Sequence, residues 1–345
     1  MAIIALRSPQ FKFHSVPSSG VLSTQADITI AGTLRYSIIK NNPDTLTGFN
    51  VDISELTRDY LNIQFGTNNT TDSIAVTTSI RNFLLINGTN NPSGNQAVVG
   101  SPTTYSDIGV EGYGVFSEQA NPTLPFGRTL PTWLLASETQ GTSATDTFAV
   151  YVPEGEAGRV AGMTNSTTLV TVPYNANQTI IQNSPIGLPN LKINRIGCTK
   201  YGIGTKVTFI NKYGAQQDLW FFLKKTDTIS RTNEKYTRNT LEYVEDEQAT
   251  YNLTIAPRAI FNTQAKSTIT LNSGYYPETA VPYFEQLLLS EYVWIKLPRV
   301  ESGLLSAIPF TVKNSSVILK TSVNDRLIEY TIEFEQAADH INNIR

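Results

Sequence analysis

The sequence predicts a mainly β protein, and three features carry that reading. Leu327 to Glu335 sets Ile328, Tyr330, Ile332 and Phe334 in alternation with Glu329, Thr331, Glu333 and Glu335, the period-two pattern of a strand with one apolar and one acidic face. Strand-like runs recur at short spacing through the rest of the chain, with little helical periodicity between them. One longer stretch, Pro277 to Ser290, has an apolar stripe at three- and four-residue spacing through Phe284, Leu287 and Leu288. The expected architecture is an N-terminal antiparallel β-sandwich of immunoglobulin-like type over residues 1–90, then a loop-rich β region over 91–188 that extends or follows it. A C-terminal antiparallel sheet or partial barrel over 189–345 completes it, with one packed α-helix at 277–290.

In chain order, Arg7 to Val16 alternates through Phe11 and Phe13, and Gln25 to Gly32 repeats the pattern with Ile28 and Ile30. Leu34 to Lys40 continues the series, Asn41-Asn42-Pro43-Asp44 is a turn, and Phe49 to Ile53 is the next strand. Ser54 is placed to cap one or two helical turns carrying Leu56, Tyr60 and Leu61. Ile74 to Ile86 supplies another strand or two. Residues 87–108 are poor in large apolar side chains and rich in Asn, Gly, Ser, Thr and Pro, which reads as a long loop or linker. Val110 to Phe116 resumes strand-like alternation.

Thr132 to Leu135, Asp146 to Val152, Thr167 to Val172, Gln178 to Gln182 and Leu191 to Ile196 are further strand candidates. Val207 to Gly214 is a strand ending in a turn glycine, with Asp218 to Lys224 as its partner. Lys225 to Glu247, the most charged segment, reads as a long excursion away from the core. Thr250 to Ile255 and Ser267 to Leu271 return to strand pattern. Pro277 is read as a first-turn proline opening the helix, with Glu278 complementing its dipole. Tyr292 to Leu297 is a strand, and Pro309 to Lys313 with Ser316 to Lys320 form a hairpin around Asn314-Ser315.

A chain of 345 residues is long enough for two or three domains, each with its own core. Charged residues are only 16%, against about 25% in typical soluble domains, so the polar surface is largely uncharged Asn, Thr and Ser. The net charge of −3 disfavours general or sequence-specific nucleic-acid binding. Met1 to Arg7 lacks both the basic start and the apolar run of a signal peptide or membrane span, so cytoplasmic synthesis is expected, and the Asn-x-Thr triplets, such as those at Asn69 and Asn252, read as chance.

Catalytic motifs are absent: there is no nucleophile elbow, Walker loop, His-Glu-x-x-His helix or dinucleotide fingerprint. Gly202-Ile203-Gly204-Thr205-Lys206 has the wrong spacing for a phosphate loop. Glu245-Asp246-Glu247 reads as a solvated loop or an interface patch, and His14 and His340 as structural. Trp133, Trp220 and Trp294 sit in apolar strands and read as core. With one cysteine, Cys198, and two histidines, no intrachain disulfide, metal site or cofactor site is expected, and the chain is read as a non-enzyme.

Four stretches together carry a resemblance. They are Leu34-Arg35-Tyr36 with Glu55 to Leu61, Asn211 to Phe222, Leu287 to Trp294, and Asn324 to Glu335 with Ile341 to Arg345. They resemble virion structural proteins of tailed phages of Bacteroidota hosts, including crAss-like phages. The resemblance implies a non-enzymatic virion subunit with a tail-tube-like α+β C-terminal domain. It implies a homo-oligomeric ring in the tail or neck connector through which DNA passes, with copies of itself and neighbouring tail or neck proteins as partners. The implied location is the virion, after synthesis in the host bacterial cytoplasm. Loops near 87–108 and 225–247 are the expected contact segments, and the face of Glu329, Glu333 and Glu335 would line a DNA passage or meet a basic neighbour. A host-glycan-binding fibre or adhesin module is the alternative, and a polysaccharide depolymerase ranks below it.

Overall fold

The computed structural model of the chain describes residues 2–16, 23–41, 48–65, 73–85, 96–122, 132–136, 145–151, 167–173, 178–181, 191–196, 204–214, 216–243, 249–277, 280–298, 305–314 and 327–340. The fold is mainly β with few helical residues. The chain forms two compact units. One holds Met1–Ile203, Thr208–Leu219 and Pro282–Glu291, the other Gly204–Val207, Trp220–Val281 and Tyr292–Arg345.

The first unit begins with β1 (Ala2–Ala5), β2 (Phe11–His14), β3 (Ser23–Ile30), β4 (Thr33–Asn41), β5 (Phe49–Asp52), α1 (Ser54–Arg58), β6 (Ser73–Leu85) and β7 (Gln96–Val110). Five of these strands make a sheet of order β1-β7-β6-β3-β4, and β2 pairs antiparallel with β5. Its core unites Ile4, Leu6, Val16, Ala26, Ile28 and Ile30 with Phe49, Val51, Ile53, Val76 and Ile80, so apolar side chains of the sheet meet those of β5. Ala31 and Gly32, with φ of 50° and 78°, close the two-residue turn between β3 and β4, the mirror-image geometry that matches strand twist.

Several sequence expectations are corrected here. The sheet is mixed, because β1 runs parallel to β7. Residues 96–108 are strand: β7 pairs with β6 from Gln96 to Val110, and its Thr, Ser and Tyr side chains suit a half-exposed pleat despite their polarity. Strand structure ends at Val110, so the alternation through Phe116 is not a strand; Phe116–Glu118 is a 3-10 turn. In β2 the faces are reversed. Phe11 and Phe13 are exposed while Lys12 and His14 are buried, because Lys12 meets Asp107 on β7 at 2.6 Å and His14 Nδ1 meets Thr103 Oγ1 at 2.8 Å. Ser54 does not cap α1. The position before the helix is Ile53, and Asp52 Oδ1 accepts from the Ser54 backbone N–H at 3.0 Å and its hydroxyl at 2.8 Å.

Further on, β8 (Thr132–Ala136), β9 (Thr145–Tyr151), β10 (Thr167–Pro173), β11 (Gln178–Ile181) and β12 (Leu191–Ile196) fall where their β-branched runs lie. β9 pairs antiparallel with β10, while β12 runs parallel to β8 and antiparallel to β11. The hairpin β13 (Thr205–Ile210) and β14 (Gln216–Phe221) has residues in both units. Gly214, at φ 72°, closes the turn after β13 by donating its N–H to Asn211 O at 3.0 Å. The helix α2 (Val281–Leu288) buries Tyr283, Phe284, Gln286 and Leu287. Its Gln286 Oε1 accepts from Lys212 N at 3.0 Å, and the Ser290 hydroxyl beyond its end accepts from Ile210 N at 3.2 Å.

The second unit contains β15 (Lys225–Thr237), β16 (Leu241–Tyr243), β17 (Ala249–Tyr251), β18 (Arg258–Asn272), β19 (Tyr276–Pro277), β20 (Val293–Pro298), β21 (Leu305–Val312), β22 (Leu327–Ile328) and β23 (Thr331–Gln336). In its main sheet β20, β21, β23, β18 and β15 follow one another in that order. Phe310, Ile332 and Phe334 are buried, and Phe334 meets Phe221 edge-on at 5.9 Å between ring centroids. Tyr276 donates its hydroxyl to Trp220 O at 2.6 Å, which satisfies the one polar atom of a ring that is 1% exposed.

The alternation read at the C-terminal end falls in register: Tyr330, Ile332 and Phe334 are buried, as are Phe284, Leu287 and Trp294. Leu288 is half-buried, and the side chain of Ile328 lies outside the described residues. The helix starts later than expected, at Val281, because Tyr276 and Pro277 are paired as strand with Ile328 and Leu327. The face of Glu329, Glu333 and Glu335 is not simply acidic. Lys313 Nζ lies 2.7 Å from Glu333, Lys266 Nζ 2.7 Å from Glu335, and Asn272 donates to Glu329. The Asn314-Ser315 hairpin lies largely outside the described residues.

Candidate assembly surface

The segment read as a charged excursion is half of a two-stranded ribbon. β15 pairs antiparallel with β18 from Lys225 opposite Leu271 to Thr237 opposite Arg258, with a bulge beside Lys235. Thr226, Thr228, Thr232 and Thr237 favour the extended backbone, and charges interspersed among them keep the strand soluble. β18 pairs with β23 only from Thr268 to Asn272, so from Ser267 outward its described strand partner is β15 alone. Every residue of β15 is exposed except Asn233, which is half-buried. Ile229, Tyr236, Ile260 and Phe261 present apolar surface along the ribbon, and Tyr236 meets Phe261 at 6.2 Å. Ala265 is buried and its carbonyl accepts from His340 N at 2.8 Å, but most described side chains of the ribbon are exposed or half-buried. A two-stranded element so thinly covered is marginally stable alone in water, so this surface is one that gains from a partner.

Two charge clusters lie in the first unit. Arg58 grips the buried carboxylate of Glu111 and also reaches Glu291, while Arg7 Nη2 lies 3.0 Å from Glu291 and Arg7 Nη1 donates to Leu289 O at 3.1 Å. Lys12 pairs with Asp107 and lies 5.3 Å from the centre of the Tyr105 ring. These are paired charges on strands and helix ends, an arrangement that braces the backbone.

Among the described residues, those whose side chains could carry chemistry are not brought together. His14 is buried on β2, and burial lowers its pKa; His340 is exposed near the C-terminus. Trp220 and Trp294 are buried, and the Trp133 side chain, Cys198 and Glu245-Asp246-Glu247 lie outside the described residues. Thr205 and Lys206 begin β13. Among the described residues no group of three or more His, Cys, Asp or Glu is placed to hold a metal ion, and no helix is long and apolar enough to cross a membrane. A groove of about 550 Å³ is lined by Ser8, Pro9, Val115, Phe116, Ser117 and Gln119, with the Phe116 ring fully exposed at its edge.

No protein-family model, curated protein or solved structure matches the chain. In the sequence the apolar positions of the ribbon are masked by the charges around them. The alternation of Thr with Asp227, Ile229 and Arg231 is the signal that marks the strand.

Proposed function

We propose that this protein is a non-enzymatic structural subunit of a tailed-phage virion, assembling with copies of itself into a ring in the tail or neck through which DNA passes. The observation that carries the reading is the β15–β18 ribbon, a long pair of strands with exposed apolar residues and, among the described residues, little buried apolar surface. A subunit that is buried among copies can carry such an element, since obligate interfaces of roughly 2,000 Å² or more supply the missing contacts. The mainly β fold and the sparse charge of the sequence support the same reading, and the phage resemblance of the four sequence stretches supplies its virion context. The lysine-paired glutamates of β23 remove the argument that an acidic face repels DNA from a lumen, so the ring rests on the ribbon instead.

The test is the mass of the purified chain by light scattering together with negative-stain imaging. A closed homo-oligomer supports the proposal, and a monomer at all concentrations and in the virion contradicts it. A host-glycan-binding module is the second reading. The fully exposed Phe116, on a groove also lined by Ser8 and Ser117, favours it, since an exposed ring is a surface on which a sugar stacks.

A further inference from the structure

β15 is the edge of its sheet, and its sequence is complementary to itself about Ile229. Thr228 and Ser230 stand one residue to either side, Asp227 and Arg231 two, Thr226 and Thr232 three, and Lys225 and Asn233 four. We propose that two copies of this chain join by antiparallel pairing of their β15 edges around a two-fold axis at Ile229.

In that register Ile229 faces Ile229 of the second copy, and Asp227 of each copy faces Arg231 of the other. Thr228 lies opposite Ser230, Thr226 opposite Thr232, and Lys225 opposite the neutral Asn233, so hydroxyls meet hydroxyls and no like charges meet. An antiparallel pair built on a two-fold axis must set residues of the same face against each other, and this one does, with Asp227, Ile229 and Arg231 on one face. Several nearby registers set like charges opposite each other. Centring on Thr228 sets Lys225 against Arg231, on Ser230 Lys225 against Lys235, on Arg231 that residue against itself, and on Asn233 Arg231 against Lys235. The exposure of Ile229, 59%, is what the contact removes. Asp227, which within one copy sits 3.3 Å from Lys225, exchanges that neighbour for a guanidinium able to bond it with two donors. An edge strand of this length is an open template for pairing, and here its own charges choose the partner. This inference rests on the ribbon being an assembly element and does not need the ring.

The experiment uses the full chain in a Cys198→Ser background. Ile229→Cys is expected to form a disulfide-linked dimer under mild oxidation, whereas Thr228→Cys alone is not, and an equimolar mixture of Thr228→Cys and Ser230→Cys chains is. In sedimentation equilibrium, Asp227→Arg and Arg231→Asp should each raise the dimer dissociation constant by about tenfold or more, since either change breaks both symmetry-related pairs. The double variant Asp227→Arg/Arg231→Asp restores the pairs and should return it to within about threefold of the parent. Absence of the Ile229→Cys dimer, or failure of the double variant to recover association, overturns the two-fold pairing. If the parent chain oligomerises and the β15 variants leave that association untouched, the ring reading survives and this inference does not.

Discussion

Arg58 holds Glu111 with two of its nitrogens, Nε at 3.0 Å from one carboxylate oxygen and Nη2 at 2.5 Å from the other, while Glu111 itself is 2% exposed. The pair ties α1 to the end of β7, and the same Nη2 reaches Glu291 at 2.5 Å. Among the described residues, removing the guanidinium leaves a buried carboxylate whose remaining cation is Arg7, with Nε at 4.0 Å. Because the Arg58 side chain is 33% exposed, the full cost of an orphaned buried charge is discounted, and Arg58→Ala is expected to destabilise the chain by about 2 kcal/mol. Arg58→Lys should recover less than half of that, since an ammonium lacks the planar fork. Urea unfolding of the two variants measures both, and equal stability of all three chains would refute the bracing role.

Phe334 is fully buried and packs edge-on against Phe221. Phe334→Ala should cost about 3 to 5 kcal/mol in the same assay. A loss under about 1 kcal/mol would mean that β23 presents its other face to the core.

Gly214 has φ 72°, and a Cβ built on it would lie 3.0 Å from the side chain of Val110 and 3.1 Å from the Glu111 backbone. Gly214→Ala therefore meets both a left-handed backbone and a tight neighbour, with an expected cost of about 1 to 3 kcal/mol. A neutral or stabilising effect in thermal unfolding would contradict this geometry.

His14 is buried, its Nδ1 facing Thr103 and its Nε2 without a hydrogen bond among the described residues, and burial lowers its pKa from the ordinary histidine value of 6.5. The unfolded chain then binds the proton more readily than the folded one. Stability is full above pH 6.5, declines as pH falls below it, and levels off beneath the depressed folded pKa. In stability measured from pH 7.5 down to 5, His14→Gln should flatten this decline relative to the parent. An unchanged slope would show that other groups cause it.

The elements that were legible in sequence are those whose own side chains form the core. Ile332 and Phe334 announce their strand by alternation, and the short β-branched runs from Thr132 to Ile196 mark β8 to β12 closely. What long-range pairing decides was not legible. Phe11 and Phe13 alternate as a core face would, yet Lys12 and His14 turn inward because Asp107 and Thr103, about ninety positions on, supply partners. Residues 96–108 lack apolar bulk and become strand through their pairing with β6. Pro277 has the sequence context of a helix start, but its pairing opposite Leu327 holds it as strand. The ribbon's sequence displays charge and length, and its self-complementarity matters only for a strand at a sheet edge, a position that long-range pairing decides.

Imaging of purified virions carrying a label on this protein tests the central claim most directly. The account predicts several symmetry-related copies in one ring of the tail or neck. A single copy, a trimeric spike, a position in the capsid shell, or absence from the particle would contradict it.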